Sequence, residues 1–308
     1  MKILSHLKSG ALRSVKSWKG ILIIWFLIFV MIGILAASAK SGLKSMIGSS
    51  MITELLRDTV NADVLTDLKE GLSVLIASVT KGFILLILFT FIANAFFSGG
   101  LFNILSKKCS RKSLSCFLSG GASNFWSVLV INLIVSLIFI AVASIIGGIL
   151  ALIVSKSGGG NPEPGAMSKA IRFSIIIVAL LLPVLLLVAD YARAWLIGND
   201  SKKPFSAIGA GFVMTFKKFV LSYLVMIILI IIQAGFGVLV VSKLMGSKPS
   251  TGGGVFLLFL ISQILFIIRL FLRTWRYGSV TSLLEETQTT AVSQGQSEPV
   301  AEPLSDQV

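Results

Sequence analysis

The sequence predicts an all-α, polytopic membrane protein with six transmembrane helices, and three observations predict it. Six apolar runs, 20–38, 82–105, 125–155, 171–197, 220–243 and 255–271, each approach or exceed the roughly 20 helical residues that cross a hydrocarbon core of about 30 Å. The loops between the runs alternate between high and low Lys and Arg content. The 308 residues are 55% hydrophobic and only 13% charged, against about 25% charged in soluble domains, so the core is shared with lipid. Lipid cannot satisfy backbone polar groups, and the runs lack the period-two alternation of barrel strands. The spanning elements are therefore helices and a β-barrel is excluded.

The net charge of +14 raises nucleic acid as a partner, but its distribution favours membrane topology. Lys2, Lys8, Arg13, Lys16 and Lys19 precede the first run with no acid among them, and Lys107, Lys108, Arg111 and Lys112 separate runs two and three. Lys202, Lys203, Lys217 and Lys218 lie between runs four and five, and Arg273 and Arg276 follow run six. With six crossings all of these fall on one side, which the positive-inside rule makes cytoplasmic, together with both termini. No nucleic-acid partner is expected; the expected partners are the bilayer, anionic lipid head groups at the basic face and a membrane protein.

In chain order, residues 1–19 intersperse Leu4, Leu7, Leu12 and Val15 with lysines and serines, as an interfacial amphipathic helix does. The basic lead, the first run and Ala37-Ser38-Ala39 imitate a signal peptide, and cleavage would leave five spans. The run exceeds an h-region of about 7 to 15 residues, and the first span is expected to be retained. The transmembrane domain is predicted over 20–283. Its external loop, 40–81, balances Lys and Arg against Glu54, Asp58, Asp63, Asp67 and Glu70, and 53–79 reads as amphipathic helix. The loops 157–165 and 246–254 are Gly/Pro turns.

Short segments rich in small residues, 113–124 and 205–215, open runs three and five as residues 1–19 open run one. The chain thus reads as three repeated two-helix units, each preceded by an interfacial helix and all in one orientation. Chance similarity of interfacial sequence is the alternative. The acidic, polar end, 284–308, is expected to be a disordered cytoplasmic tail.

Charges inside a span cost roughly 2.5 to 3.5 kcal/mol each at its centre, so those present require a reason. Asp190 and Arg193, three residues apart, share a helix face near the end of run four, and Arg269 lies at comparable depth in run six. With Asn94 of run two and Asn132 of run three they form a candidate intramembrane polar cluster, either interhelical glue or the lining of a polar cavity. Gln233 and Gln263 are further interhelical hydrogen-bonding groups. Pro183 interrupts run four and is a candidate hinge.

No phosphate loop, HExxH, GxSxG or paired-Cys motif occurs, and one His and one intraspan acid leave little for acid/base or metal chemistry. No catalytic, cofactor-binding or metal-binding residue is predicted. Cys109 and Cys116, in a segment assigned to the cytoplasm, are expected to be free thiols and not a zinc site.

Phe96-Phe97-Ser98-Gly99-Gly100, Gly120-Gly121 before Phe125-Trp126, and Asp190-Tyr191-Ala192-Arg193 together resemble a group of largely uncharacterised bacterial six-helix inner-membrane proteins. Their layout is similar to that of the membrane domain attached to some glycerophosphodiester phosphodiesterases. The resemblance spans roughly 20–276 and implies a six-helix fold in a bacterial inner membrane. It implies no activity, since no phosphodiesterase domain is present. The expected function is that of a non-enzymatic scaffold or accessory subunit; the alternative is a transporter or lipid-handling protein whose polar cluster lines a cytoplasmic-side cavity.

Overall fold

A computed structural model describes residues 2–47, 69–106, 113–157, 164–246 and 251–295. The described residues form α1 (Lys2–Lys16), α2 (Trp18–Ile47), α3 (Lys69–Leu105), α4 (Leu114–Ser157), α5 (Pro164–Gly198), α6 (Pro204–Lys217), α7 (Phe219–Gly246) and α8 (Gly252–Gly295), with no strand among them. Five stretches, Gly82–Leu105, Leu114–Ile153, Ile171–Gly198, Phe219–Lys243 and Gly252–Thr289, are each long and apolar enough to cross a membrane. There are six if the bent pair Ile3–Lys16 and Trp18–Ile34, whose parts meet at 63°, is counted as one span. The chain is a multi-pass helical membrane protein.

The chain divides into two compact units, one made of Met1–Ile21 and Ala95–Val308, the other of Leu22–Asn94. In the second unit, α2 and α3 expose apolar side chains such as Phe26, Ile34, Phe83 and Leu88, as lipid-facing helices do. In the first unit, α5 is the hub and packs against α4, α6, α7 and α8, while α1 lies along α8. Burial is concentrated in half of each helix: Leu187 to Ile197 of α5 and Leu270 to Leu284 of α8 supply core residues, whereas Phe173 to Leu181 and Val255 to Ile268 keep large apolar side chains exposed.

The breaks between helices have local causes. The Ser17 amide hydrogen-bonds both the Arg13 and Ser14 carbonyls (3.1 and 3.0 Å), and its hydroxyl donates to the Arg13 carbonyl (2.8 Å), which closes α1 and starts α2 at an angle. The α5 C-terminus is a Schellman turn: Ser201 N–H bonds Leu196 O (3.0 Å), Asp200 N–H bonds Ile197 O (3.4 Å), and Asp200 takes the left-handed φ of 50°. Pro204 then opens α6 in the first turn, where its missing N–H costs nothing. Thr251 caps α8 by accepting from Gly254 N–H (3.2 Å).

Several expectations are corrected. The segment 113–124 is not a separate interfacial helix but the first turns of the continuous 44-residue α4. Asn124 there donates to the Gly120 carbonyl one turn back (3.1 Å), so the residue suited to cap a new helix continues the old one. The helix–break–helix unit thus recurs at α1–α2 and α6–α7 only. The tail expected from 284 is helical to Gly295, because Leu283, Leu284 and Thr287 bury a face and the two glutamates find cationic partners. Residues 296–308 lie outside the described region, as do 48–68, the centre of the external loop, whose flanks are the ends of α2 and α3. Cys116 is disulfide-bonded, where a free thiol was expected from the assigned compartment; Cys109 lies outside the described residues.

Candidate functional site

The buried half of the first unit is built by close backbone approach and then filled with charge. Gly99 and Gly100 of α3 face Gly120, Gly121 and Phe117 of α4: a side chain at Gly100 would stand 2.8 Å from the Phe117 carbonyl, and one at Gly99 3.4 Å from that of Gly120. At the α5–α6 contact, a side chain at Gly211 would meet the Val188 carbonyl at 2.6 Å. This packing leaves Asp190 with 0% exposure.

Two arginines share that carboxylate. Arg193, three residues on along α5, donates Nη1 to Asp190 Oδ1 (2.7 Å) and both Nε and Nη2 to Asn132 Oδ1 of α4 (3.0 and 2.8 Å). Arg276 of α8 sets Nε 2.9 Å from Asp190 Oδ2, a close ion pair without the alignment of a hydrogen bond. Arg276 and Arg273 stand 5.2 and 5.4 Å from the Tyr277 ring centre. Tyr277 also accepts a hydrogen bond from Arg273 Nε (2.9 Å) and stacks on Phe102 of α3 at 4.6 Å. Nearby, the Tyr191 hydroxyl lies 2.8 Å from Ser222 Oγ of α7. Helices α3, α4, α5 and α8 are thus joined by one polar and aromatic network, and the Tyr191–Ser222 contact ties α7 to α5 beside it.

Of the candidate cluster, Asp190, Arg193 and Asn132 come together. Arg269 does not join them: it is exposed on α8, and Arg276, two turns further on, takes the position expected of it. Asn94 is half-buried at the end of the second unit. Pro183 is buried in α5, whose helix continues across it, and Tyr223 of α7 donates to the Leu180 carbonyl (3.2 Å) in the turn that the proline loosens. Gln233 bridges α7 to α8 through the Leu272 carbonyl (2.9 Å).

A second set of charges, which sequence reasoning missed, holds α1 on α8. Arg13 makes a two-pronged pair with Glu285 (3.0 and 2.8 Å). His6 Nδ1 is 2.8 Å from Ser282 Oγ, its Nε2 is 2.6 Å from Glu286 Oε2, and Lys218, at the break between α6 and α7, reaches the same carboxylate at 3.3 Å. Trp275 Nε1 donates to the Leu7 carbonyl (2.8 Å). Helix α1 is amphipathic in the inverse sense: His6, Gly10 and Ser14 face the protein, while Leu4 (76% exposed) and Val15 (56%) face out. Helix α6 repeats this, with Ala207, Gly211 and Thr215 inward and Phe205 (75%) and Phe216 (61%) outward. An apolar outward face suits an acyl-chain surround, with Lys8, Lys16 and Lys217 able to reach toward head groups. The available signal was the 6-10-14 spacing of small or polar residues in α1, continued at Ser17.

Two cavities are described. One, of about 350 Å³, is lined by Lys217, Lys218, Phe219, Val220, Leu221 and Glu286. The other, of about 340 Å³, lies in the second unit between Met31 and Ile34 of α2 and Leu85 to Ile92 of α3 and is almost wholly apolar. Neither is lined by Asp190, Arg193 or Arg276. Among the described residues no group of three His, Cys, Asp or Glu side chains converges as metal ligands would. No family model, curated protein or solved structure matches the chain.

Proposed function

We propose that the chain is a non-enzymatic integral membrane protein serving as a scaffold or accessory subunit of a bacterial inner-membrane assembly. The observation that carries this reading is the condition of Asp190: it has no exposed surface, both its oxygens face guanidinium groups, and neither described cavity is lined by it. A transport path requires its ionisable group to be reachable by water or substrate; here the group is engaged in packing. The basic residues of α1, of α6 with its flanking residues and of α8 favour a cytoplasmic position for that half and for both termini. Anionic head groups are the lipid partners in keeping with it.

Partner binding in the membrane draws support from the other half of the first unit. Gly147 and Gly148 of α4 and Gly235 and Gly237 of α7 have nothing within 4 Å of where a side chain would start. That leaves room for another helix to approach closely. The resemblance to the six-helix inner-membrane group is in keeping with the same reading. A photo-reactive amino acid at Gly148 or Gly237 is expected to give a discrete, reproducible adduct with one membrane protein in cells. A chain that stays monomeric and yields no reproducible adduct from either position removes the scaffold reading. Lipid handling is the second reading, favoured by the exposed Arg269 of α8.

A further inference from the structure

Arg269, Arg273 and Arg276 stand at i, i+4 and i+7 on α8 and therefore share one side of the helix. The surroundings change along this stripe. Arg269 is exposed, one turn beyond the apolar Leu265 and Phe266 on the same side of the helix, and has no polar partner among the described residues. Arg273 is half-buried with its Nε on the Tyr277 hydroxyl, and Arg276 reaches Asp190. Acid is scarce on this helix: none precedes Glu285, and Glu285 and Glu286 are engaged by Arg13, His6 and Lys218. Asp190 is already shared between Arg193 and Arg276, so Arg269, at the exposed end of the stripe, has no acid beside it among the described residues.

Position along α8 gives the stripe its depth. At about 1.5 Å per residue, Arg269 lies about 26 Å and Arg276 about 36 Å from Gly252 at the other end of the helix. A hydrocarbon core is about 30 Å thick, so the stripe crosses the level of the lipid phosphates. Guanidinium groups at that level bind phosphate oxygens in pairs, which a lysine ammonium does not do. Tyr277 holds the inner two guanidinium groups in place by ring contact.

We propose that Arg269 and Arg273 bind the phosphate of an anionic glycerophospholipid, whose acyl chains lie along the partly exposed Leu265 and Phe266, one turn before Arg269 on the same side of α8. The site uses the membrane depth of α8 and does not depend on the identity of any protein partner.

The test is lipid retention by the full-length protein, read by native mass spectrometry after extraction from membranes and after exchange into discs of phosphatidylcholine with or without phosphatidylglycerol. The parent is expected to keep a phosphatidylglycerol molecule at near-stoichiometric level. Arg269→Gln, at an exposed position outside the packing, is expected to lower retention at least about tenfold, and Arg269→Gln/Arg273→Gln further; Lys203→Gln, at an exposed lysine outside the stripe, is expected to leave it unchanged. Equal retention by the Arg269 variants overturns the site. Protection against thermal unfolding by inorganic phosphate equal to that by phosphatidylglycerol overturns the lipid as ligand in favour of free phosphate. Loss of lipid with intact photo-adducts removes this inference alone, while lost adducts with lipid retained remove only the scaffold reading.

Discussion

Replacing Asp190 with alanine is expected to destabilise the protein by about 3–5 kcal/mol, because Arg193 and Arg276 are then left buried with no counter-charge. Their side chains are only 9% and 12% exposed, so water cannot take over from the carboxylate. Asn132 helps Arg193 through one oxygen but supplies no charge. Denaturant or thermal unfolding in a fixed detergent measures the loss. Arg269→Gln serves as control, with an expected change within about 0.5 kcal/mol, since that side chain is exposed and unpaired among the described residues. An Asp190→Ala protein within about 1 kcal/mol of the parent would mean that the network does not hold these helices together.

Gly10→Val is expected to release α1 from α8. A side chain at Gly10 would stand 2.7 Å from the Ser279 backbone nitrogen, and one at Gly278 would stand 2.8 Å from the Gly10 carbonyl, so both neighbours are backbone and cannot rotate away. Overpacking of this kind typically costs about 1–3 kcal/mol. Here it also separates Arg13 from Glu285 and His6 from Ser282 and Glu286. Hydrogen exchange is expected to rise at least about tenfold over residues 2–16 and 278–289, with the amides of 187–197 unchanged. Unchanged exchange in α1 would show that the two helices are not held by this contact.

The sequence was most legible where the bilayer acts directly on it. Length and continuous apolarity identify a spanning helix whatever it packs against, so the spans were readable without tertiary knowledge. Asp190, Arg193 and Asn132 were readable because a polar group in an apolar run needs a partner, and two of the three are neighbours on one helix. Arg276 was not, because the apolar run ends near Phe271 and an arginine beyond a run reads as a topology signal. Helix α8 runs on for 44 residues, about 66 Å, so that residue is an inward-facing member of a bundle. The acidic stretch from 284 misled for a related reason: its composition resembles a disordered tail, and only the spatial neighbours Arg13, His6 and Lys218, at least 68 positions away, make its helix worth forming. The break at Ser17 and the absence of one near Gly121 turn on single side-chain bonds to the backbone, which periodicity does not register.

Water access to the surroundings of Asp190 tests most directly the claim that this half of the bundle is closed by paired charges. In a background with Cys109 and Cys116 replaced by serine, Ala189→Cys and Ala192→Cys place a thiol at two positions with no exposed surface, and Ser119→Cys and Ser206→Cys at two exposed ones. With a membrane-impermeant thiol reagent applied to inside-out vesicles, the expected result is rapid labelling at 119 and 206 and none at 189 and 192. Labelling at 189 and 192 at rates near those of the exposed positions would reveal a water-filled cavity around Asp190 and contradict the scaffold account in favour of transport.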